Sequence, residues 1–142
     1  MVALSKGQAA RQVTRLASVR PALAAAYQLA LGQWLADPAL AALGRPFVSE
    51  GHRSVAAQDE LYTRGRTAPG PVVTYKRGGE SHHNRMPSWA LDVAVLLPDG
   101  TTSWSVGLLE KFARLMKAAD ARVRWGGDWP KFQDAPHFEI TG

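Results

Sequence analysis

The strongest strand signal in the chain is Ala90-Leu-Asp-Val-Ala-Val-Leu-Leu97. Side chains alternate between the two faces of a strand, so Asp92 shares a face with Ala94 and Leu96. The opposite face carries the apolar side chains of Leu91, Val93 and Val95. This stretch therefore predicts a strand that carries a single carboxylate among apolar neighbours.

The residues before this strand predict helices, one short strand and a long loop. Helical periodicity covers the first 45 residues, with a main helix from about 21 to 35 that begins at a proline. A β-prone segment at 45–51 and a helix at 54–62 follow. Residues 64–80 predict a long loop, and long ordered loops in compact domains tend to be functional.

The residues after this strand predict one more helix and two more strands. A turn at Pro98-Asp-Gly100 leads to an amphipathic helix around 108–119. Strand candidates follow at 122–125 and 137–140. Helices first, then strands mixed with helices, predict an α+β fold. We expect a small antiparallel sheet of about four strands with helices packed on one side.

Length and composition limit the kind of protein. The chain has 142 residues, so 1–142 is expected to form a single domain with a helical part at 1–45 and the chemistry at 46–142. The lack of cysteine excludes disulfides, cysteine nucleophiles and thiolate metal sites. No apolar run approaches the roughly 20 residues that cross a bilayer. The N-terminus does not look like a secretory signal, so we expect synthesis in the cytoplasm without a signal peptide.

An excess of basic residues favours acidic partners. Seventeen lysines and arginines against twelve acidic residues give a net charge of +5. Such a charge is typical of proteins that bind nucleic acid, acidic cell-wall polymers or anionic lipid. The sequence has no helix-turn-helix or zinc-finger spacing and its basic residues are scattered, so we do not expect nucleic-acid binding.

Histidines and acidic residues occur together in two segments. Ser81-His82-His83-Asn84 precedes the strand that carries Asp92, and Asp134-Ala-Pro-His137-Phe-Glu lies near the C-terminus. Two histidines and one carboxylate are enough protein ligands for a catalytic zinc, whose fourth position stays open for water. A second carboxylate nearby could act as a general base. The two segments therefore contain enough candidate ligands for a catalytic zinc site.

These segments resemble the motifs of the zinc D-Ala-D-Ala and L-Ala-D-Glu peptidases, a family of cell-wall enzymes that includes many phage endolysins. The family's first motif, Ser-x-His and then Ala-x-Asp after a loop, corresponds to Ser81–Asp92. Its second motif, an acidic residue three positions before a histidine, corresponds to Asp134–Phe138. Further matches, some typical of the endolysin-like branch, are Gly51-His52-Arg53-Ser54, Gln58, Leu61-Tyr62, Gly65-Arg66-Thr67, Pro69-Gly70 and Trp125-Gly-Gly-Asp-Trp129.

The resemblance implies a fold and a set of roles. The fold would be the zinc D,D-peptidase-like fold, also called the Hedgehog/DD-peptidase fold. Zinc would be held by His83, Asp92 and His137. Asp134 would act as the general base, and Arg53 would stabilise the oxyanion. Ser81 and Trp129 would contact the substrate.

Two of these assignments leave an alternative residue open. His83 and Asp92 are nine residues apart, whereas the shorter form of the motif has seven, so His82 is a second candidate ligand. The spacing Ser-x-His favours His83 over His82. Asp128 competes with Asp134 as the base, although its position after two glycines favours a role in a turn or in the cleft.

Other residues have a structural interpretation beside the functional one. Arg53 could cap or pair at the start of a helix. Asp92 could be a buried strand carboxylate that backbone donors satisfy. Trp125 and Trp129 could line the cleft or fill the core. Glu139 alternates onto the same face as His137, so it could support the site from outside or lie on the surface.

The function implied by the resemblance is zinc-dependent hydrolysis of a peptidoglycan stem peptide. The endolysin-like motifs favour L-alanyl-D-glutamate endopeptidase activity in a phage endolysin. Alternatives are D-Ala-D-Ala carboxypeptidase activity, or a non-catalytic zinc-binding or wall-binding domain on the same fold. The enzyme is expected to be a monomer that acts on the cell wall after release from the host cytoplasm.

Overall fold

The computed structural model describes residues 2–142. Five α-helices are observed in this part of the chain: α1 (Lys6–Ala17), α2 (Pro21–Ala36), α3 (Pro38–Leu43), α4 (Val55–Thr63) and α5 (Val106–Ala119). Five strands accompany them: β1 (Arg45–Glu50), β2 (Ala90–Leu96), β3 (Thr102–Ser103), β4 (Arg124–Trp125) and β5 (His137–Glu139). Two short 3-10 turns, at His82–Asn84 and Gly126–Asp128, lie directly beside the strands that carry the predicted site.

The helices begin where the sequence offers a cap. Ser5 forms a capping box with Gln8 at the start of α1, and the hydroxyl of Ser54 accepts a hydrogen bond from a backbone N–H in the first turn of α4. The break predicted near Pro21 is confirmed, because α1 ends at Ala17 and α2 starts at that proline. None of the helices in residues 2–142 has the length and apolar character needed to span a membrane.

The sheet is antiparallel, and β2 lies at its centre. The strand order is β1-β2-β5-β4, and β3 also pairs with β2. The predicted small antiparallel sheet is confirmed, with one strand more than expected. The additional strand is the two-residue β3, which returns from the turn after β2 and is too short to show any alternation of apolar residues.

The hydrophobic core lies between the sheet and helices α2 and α5. Leu91, Val93 and Val95, the predicted apolar face of β2, all belong to this core. Three aromatic rings pack edge-to-face around Phe112: those of Tyr27, Trp34 and Phe138, at centroid distances of 5.8, 6.0 and 6.0 Å. One face of β2 thus packs into the hydrophobic core, and Asp92 lies on the opposite face.

Candidate metal centre and its cleft

Strand pairing brings two of the predicted ligands side by side. In the register between β2 and β5, Asp92 lies directly opposite His137. Opposite residues of an antiparallel pair project to the same face of the sheet, so their side chains meet. The Nδ1 atom of His137 lies 3.7 Å from Oδ1 of Asp92.

A 3-10 turn brings the third predicted ligand to the same place. Ser81 caps this turn, its hydroxyl accepting a hydrogen bond from the backbone N–H of His83. The carbonyl oxygen of His83 accepts a hydrogen bond of 2.8 Å from the backbone N–H of Arg53. The Nε2 atom of His83 then lies 3.1 Å from Oδ1 of Asp92.

The donor atoms of this cluster fit a zinc ion. One ligand atom from each of His83, Asp92 and His137 lies within 4.8 Å of the other two. Two imidazoles and one carboxylate with room for water are the ligand set of a catalytic zinc site. Both histidines are almost fully buried, so a metal bound here would be held by fixed side chains.

In each histidine, the ring nitrogen that points away from Asp92 forms a hydrogen bond, and this bond orients the other ring nitrogen toward Asp92. Nδ1 of His83 donates to the carbonyl oxygen of Gly51 at 2.8 Å, which leaves its Nε2 facing Asp92. Nε2 of His137 donates to Oε1 of Glu139 at 2.7 Å, which leaves its Nδ1 facing Asp92. Metal-binding histidines in proteins are typically oriented in this way by a carbonyl or carboxylate oxygen. The cluster therefore directs one ring nitrogen of each histidine toward Asp92.

His82, the alternative ligand, lies outside the cluster. Its ring stacks on the indole of Trp89 with 5.5 Å between centroids. Its Nε2 atom lies 3.8 Å from Oε2 of Glu139, on the outer side of that carboxylate. The geometry therefore favours His83 over His82 as a metal ligand.

Without a metal, the buried charges of the cluster stabilise one another. Burial opposes protonation of His137, but its hydrogen bonds with Asp92 and Glu139 outweigh that effect and raise the pKa of His137 to about 9. Burial also disfavours the charged form of Asp92, yet the neighbouring imidazoles hold the pKa of this carboxyl well below its usual range. A metal that binds His137 must therefore displace a proton at neutral pH.

Asp134 lies at the edge of the cluster. Its Oδ2 atom is 3.9 Å from Nδ1 of His137, and about half of its side chain is exposed. The backbone N–H of Asp134 donates to the carbonyl oxygen of Gly126 at 3.0 Å. A Cβ at position 126 would collide with the carbonyl oxygen of Asp134, so this approach requires glycine. Partial burial, and then the charge of Asp92, raise the pKa of the Asp134 carboxyl.

Asp128, the competing candidate base, pairs with a residue outside the cluster. Its carboxylate forms an ion pair with Lys117 of α5. This geometry agrees with the turn interpretation and leaves Asp134 as the free carboxylate beside His137.

Arg53 is held beside the cluster by three side chains. Its guanidinium forms two hydrogen bonds with Glu50, at 3.0 and 2.6 Å, and a third with Gln58 at 2.8 Å. Its Nη2 atom also lies 3.7 Å from Asp92. Burial alone would lower the pKa of Arg53, but the hydrogen bonds and charge of Glu50 outweigh burial and raise it. The cap of α4 comes from Ser54, so Arg53 pairs with acidic groups and does not cap that helix.

The cluster lies in a cleft with a volume of about 760 Å³. Ser81 and Trp129 line this cleft, and the Trp129 ring lies 5.0 Å from the ring of His137. Trp125, in contrast, belongs to the buried core and donates its indole N–H to the carbonyl oxygen of Ala135 at 2.6 Å. Of the two tryptophans that the sequence left open, Trp129 therefore lines the cleft and Trp125 fills the core.

Three residues support the cluster: sequence reasoning gave no supporting role to Glu50 or Gln58, and it left Glu139 between a supporting and a surface position. Glu50 and Gln58 orient Arg53, and Glu139 orients His137. For Glu139 a signal existed, since it lies two residues after His137 on the same face of a strand. Glu50 lies three residues before Arg53 and Gln58 five residues after it, and neither pair lies within one helix or strand whose pattern would predict a contact.

Comparisons with known proteins agree with this geometry. A family model of the M15 peptidases, described as D-alanyl-D-alanine carboxypeptidase, matches residues 74–140. The peptidoglycan L-alanyl-D-glutamate endopeptidase CwlK of Bacillus subtilis (strain 168) is 41% identical over 100 residues, which are 66% of this chain and 59% of that protein. The chain thus spans less than two thirds of the length of this relative.

A solved structure is similar over most of both chains. The crystal structure of the Serratia marcescens L-Ala D-Glu endopeptidase ChiX matches with a TM-score of 0.67 and 31% sequence identity. The match covers 93% of this chain and 87% of the Serratia chain. The chain therefore belongs to the M15 family of metallopeptidases, the zinc D,D-peptidase-like group that its motifs resemble.

Proposed function

We propose that this chain is a zinc-dependent peptidoglycan hydrolase that cleaves the bond between L-Ala and D-Glu in the stem peptide. The observation that carries the proposal is the convergence of His83, Asp92 and His137, whose ligand atoms lie within 4.8 Å of one another beside a free carboxylate. The two L-Ala-D-Glu endopeptidases to which the chain is similar support this choice of bond.

The metal-binding role belongs to His83, Asp92 and His137. Zinc at this position would supply Lewis-acid chemistry, polarising the scissile carbonyl and making a water molecule nucleophilic near neutral pH. Gly51 and Glu139 keep the two imidazoles in the tautomers that binding needs, as their hydrogen bonds of 2.8 and 2.7 Å indicate.

Asp134 is the general base in this proposal. Its half-exposed carboxylate beside His137 is free of any cation partner other than that imidazole in residues 2–142. A carboxylate in this position can take the proton of the attacking water and return it to the leaving nitrogen. The loop that carries it is fixed by the hydrogen bond to Gly126, so the proton acceptor stays at the rim of the cleft.

Arg53, Ser81 and Trp129 contact the substrate in this proposal. The guanidinium of Arg53 is held in place by Glu50 and Gln58, so it can stabilise negative charge on the carbonyl oxygen without first reorganising. Trp129 offers an aromatic surface next to His137, and Ser81 also lines the cleft. Together they would orient the peptide across the metal centre.

The biological setting follows from the substrate. An enzyme for the stem peptide acts on the cell wall, and the net charge of +5 favours its attraction to acidic wall components. The roles as a phage endolysin and as a monomer stay predictions that rest on the sequence motifs.

D-Ala-D-Ala carboxypeptidase activity is the second candidate, because the matching family model carries that description. Digestion of purified peptidoglycan separates the two activities by the mass of the products. We expect new N-terminal D-Glu, and no product when a chelator is present or when Asp134→Ala replaces the wild-type protein. Release of free D-Ala would favour the carboxypeptidase. Absence of any product with zinc present would favour a non-catalytic domain.

A further inference from the structure

Two loops each bring one lysine and one aromatic residue to the cleft. One loop contributes Tyr75 and Lys76, and the other contributes Lys131 and Phe132, and all four residues line the cleft. The rings of Tyr75 and Phe132 lie 4.0 Å apart between centroids, although each ring residue is more than half exposed. We call these four residues the clamp. It joins two segments that are more than 50 residues apart in the sequence.

The first loop of the clamp is anchored to Arg53. The fully buried amide of Gln58 donates to the carbonyl oxygen of Lys76 at 2.7 Å and to the hydroxyl of Thr74 at 3.3 Å. The oxygen of the same amide accepts the hydrogen bond from Arg53. One buried side chain therefore fixes the backbone of Lys76 relative to the guanidinium of Arg53.

The second loop of the clamp leads directly to Asp134. Phe132 has a φ of 53°, in the left-handed region that residues other than glycine seldom adopt. Such conformations cost free energy and are concentrated at functional sites. This conformation presents the Phe132 ring to Tyr75 immediately before the chain reaches Asp134.

The two lysines are the unpaired cations of the cleft. Arg53 is already neutralised by Glu50 and lies close to Asp92. Neither Lys76 nor Lys131 forms an ion pair within the described part of the chain. Their ammonium groups are therefore available to an anionic group of the substrate. Binding such a group requires little desolvation of the lysines, because both residues are exposed.

The proposed substrate has such an anionic group next to the scissile bond. In an L-Ala-D-Glu bond, the leaving nitrogen is attached to the carbon that bears the α-carboxylate of D-Glu. Asp134 would return the proton to this nitrogen, and Lys131 comes from the same loop as Asp134. We infer that Lys76 and Lys131 bind this α-carboxylate, so the enzyme selects stem peptides with a free D-Glu acid over peptides in which it is amidated. This inference rests on the proposed function.

A pair of peptides tests this inference by binding, independently of turnover. Both contain L-Ala-D-Glu, one with a free α-carboxylate and one with the α-amide, and their dissociation constants are measured by calorimetry on the zinc-loaded Asp134→Ala protein. We expect the acid to bind about tenfold more tightly, as charge-assisted hydrogen bonds allow, and the difference to shrink at high salt. Adding Lys76→Met and Lys131→Met together should remove the difference.

Matched variants keep the test specific. Lys111→Met, on the exposed face of α5, removes the same charge outside the cleft and should preserve the tenfold difference. Equal binding of both peptides to the Asp134→Ala protein would overturn the inference, and so would a preference that survives loss of both lysines. Failure of the proposed function would instead appear as no cleavage of either peptide by the wild-type protein.

Discussion

The metal-facing cluster and the clamp lie in the same cleft but are built in opposite ways. His83 and His137 are only 2% and 5% exposed, and each is fixed by a hydrogen bond on its outer nitrogen. The clamp residues are exposed and come from loops. Paired strands and a capped turn therefore position the groups that need exact geometry, whereas loops carry the groups that contact a variable substrate.

This difference predicts different consequences of mutation. A change in the cluster should disturb metal binding and the chemical step, because His83, Asp92 and His137 are the residues whose ligand atoms converge. A change in the clamp should alter substrate affinity with the metal still bound. The variants below test which residues affect metal binding and which affect only the chemical step.

The largest effect is expected from removing a metal ligand. His83→Ala and His137→Ala should each lose tightly bound zinc, with hydrolysis falling below detection. His82→Ala is the matched control, because this adjacent histidine stacks on Trp89 outside the cluster. Zinc content per chain after dialysis measures the effect. Loss of zinc in His82→Ala with retention in His83→Ala would reverse the ligand assignment.

Removal of the base should separate chemistry from metal binding. We expect Asp134→Ala to lower kcat by roughly 10²–10⁴-fold, the usual contribution of a general base, with zinc content unchanged. Asp128→Ala removes a carboxylate that pairs with Lys117 and should leave kcat nearly unchanged. The measurement is steady-state hydrolysis of an L-Ala-D-Glu peptide. If Asp128→Ala were the inactive variant, the base would be assigned to the wrong residue.

A smaller effect is expected at the residue that orients His137. Glu139→Gln keeps the shape of the side chain but weakens the hydrogen bond to Nε2 of His137. Loss of such an outer partner typically weakens metal binding by roughly 10–100-fold. Competition with a chromophoric chelator gives the zinc affinity. The control Glu110→Gln alters an exposed carboxylate of α5, and an equal loss of affinity there would refute the orienting role.

The smallest effect for a single step is expected from pH, at most about tenfold in zinc affinity for one pH unit. His137 must be neutral to bind zinc, and its pKa in the metal-free protein is raised to about 9. Zinc therefore competes with a proton below that value, so its affinity should rise by up to about tenfold per pH unit between 6.5 and 9. Glu139→Gln weakens a hydrogen bond that raises this pKa, so the zinc affinity of the variant should level off at a lower pH. Affinity that falls as pH rises through this window would contradict the assignment.

Local patterns were enough to predict β2 and its two faces. Its alternation of residues identified both the core face and Asp92, and both are observed. The proline at the start of α2 is likewise a local signal, and α2 and α4 begin within one residue of the predicted positions. What these features share is that each depends on side chains a few residues apart.

Features that depend on distant residues were beyond such reasoning. The register that sets Asp92 opposite His137 joins strands 45 residues apart, and only the family resemblance brought these residues together in advance. The link from Gln58 to Lys76 likewise appears only after the long loop has folded onto α4. No periodicity encodes them, because each partner lies in a different element.

The central claim is that two imidazoles and one carboxylate of this chain hold a zinc ion. X-ray absorption spectroscopy of the purified protein, together with its zinc content, tests it directly. We predict one zinc per chain, two imidazole nitrogens at about 2.0–2.1 Å and remaining oxygen ligands. A protein that hydrolyses the stem peptide with no bound metal and with no response to chelator would contradict this account.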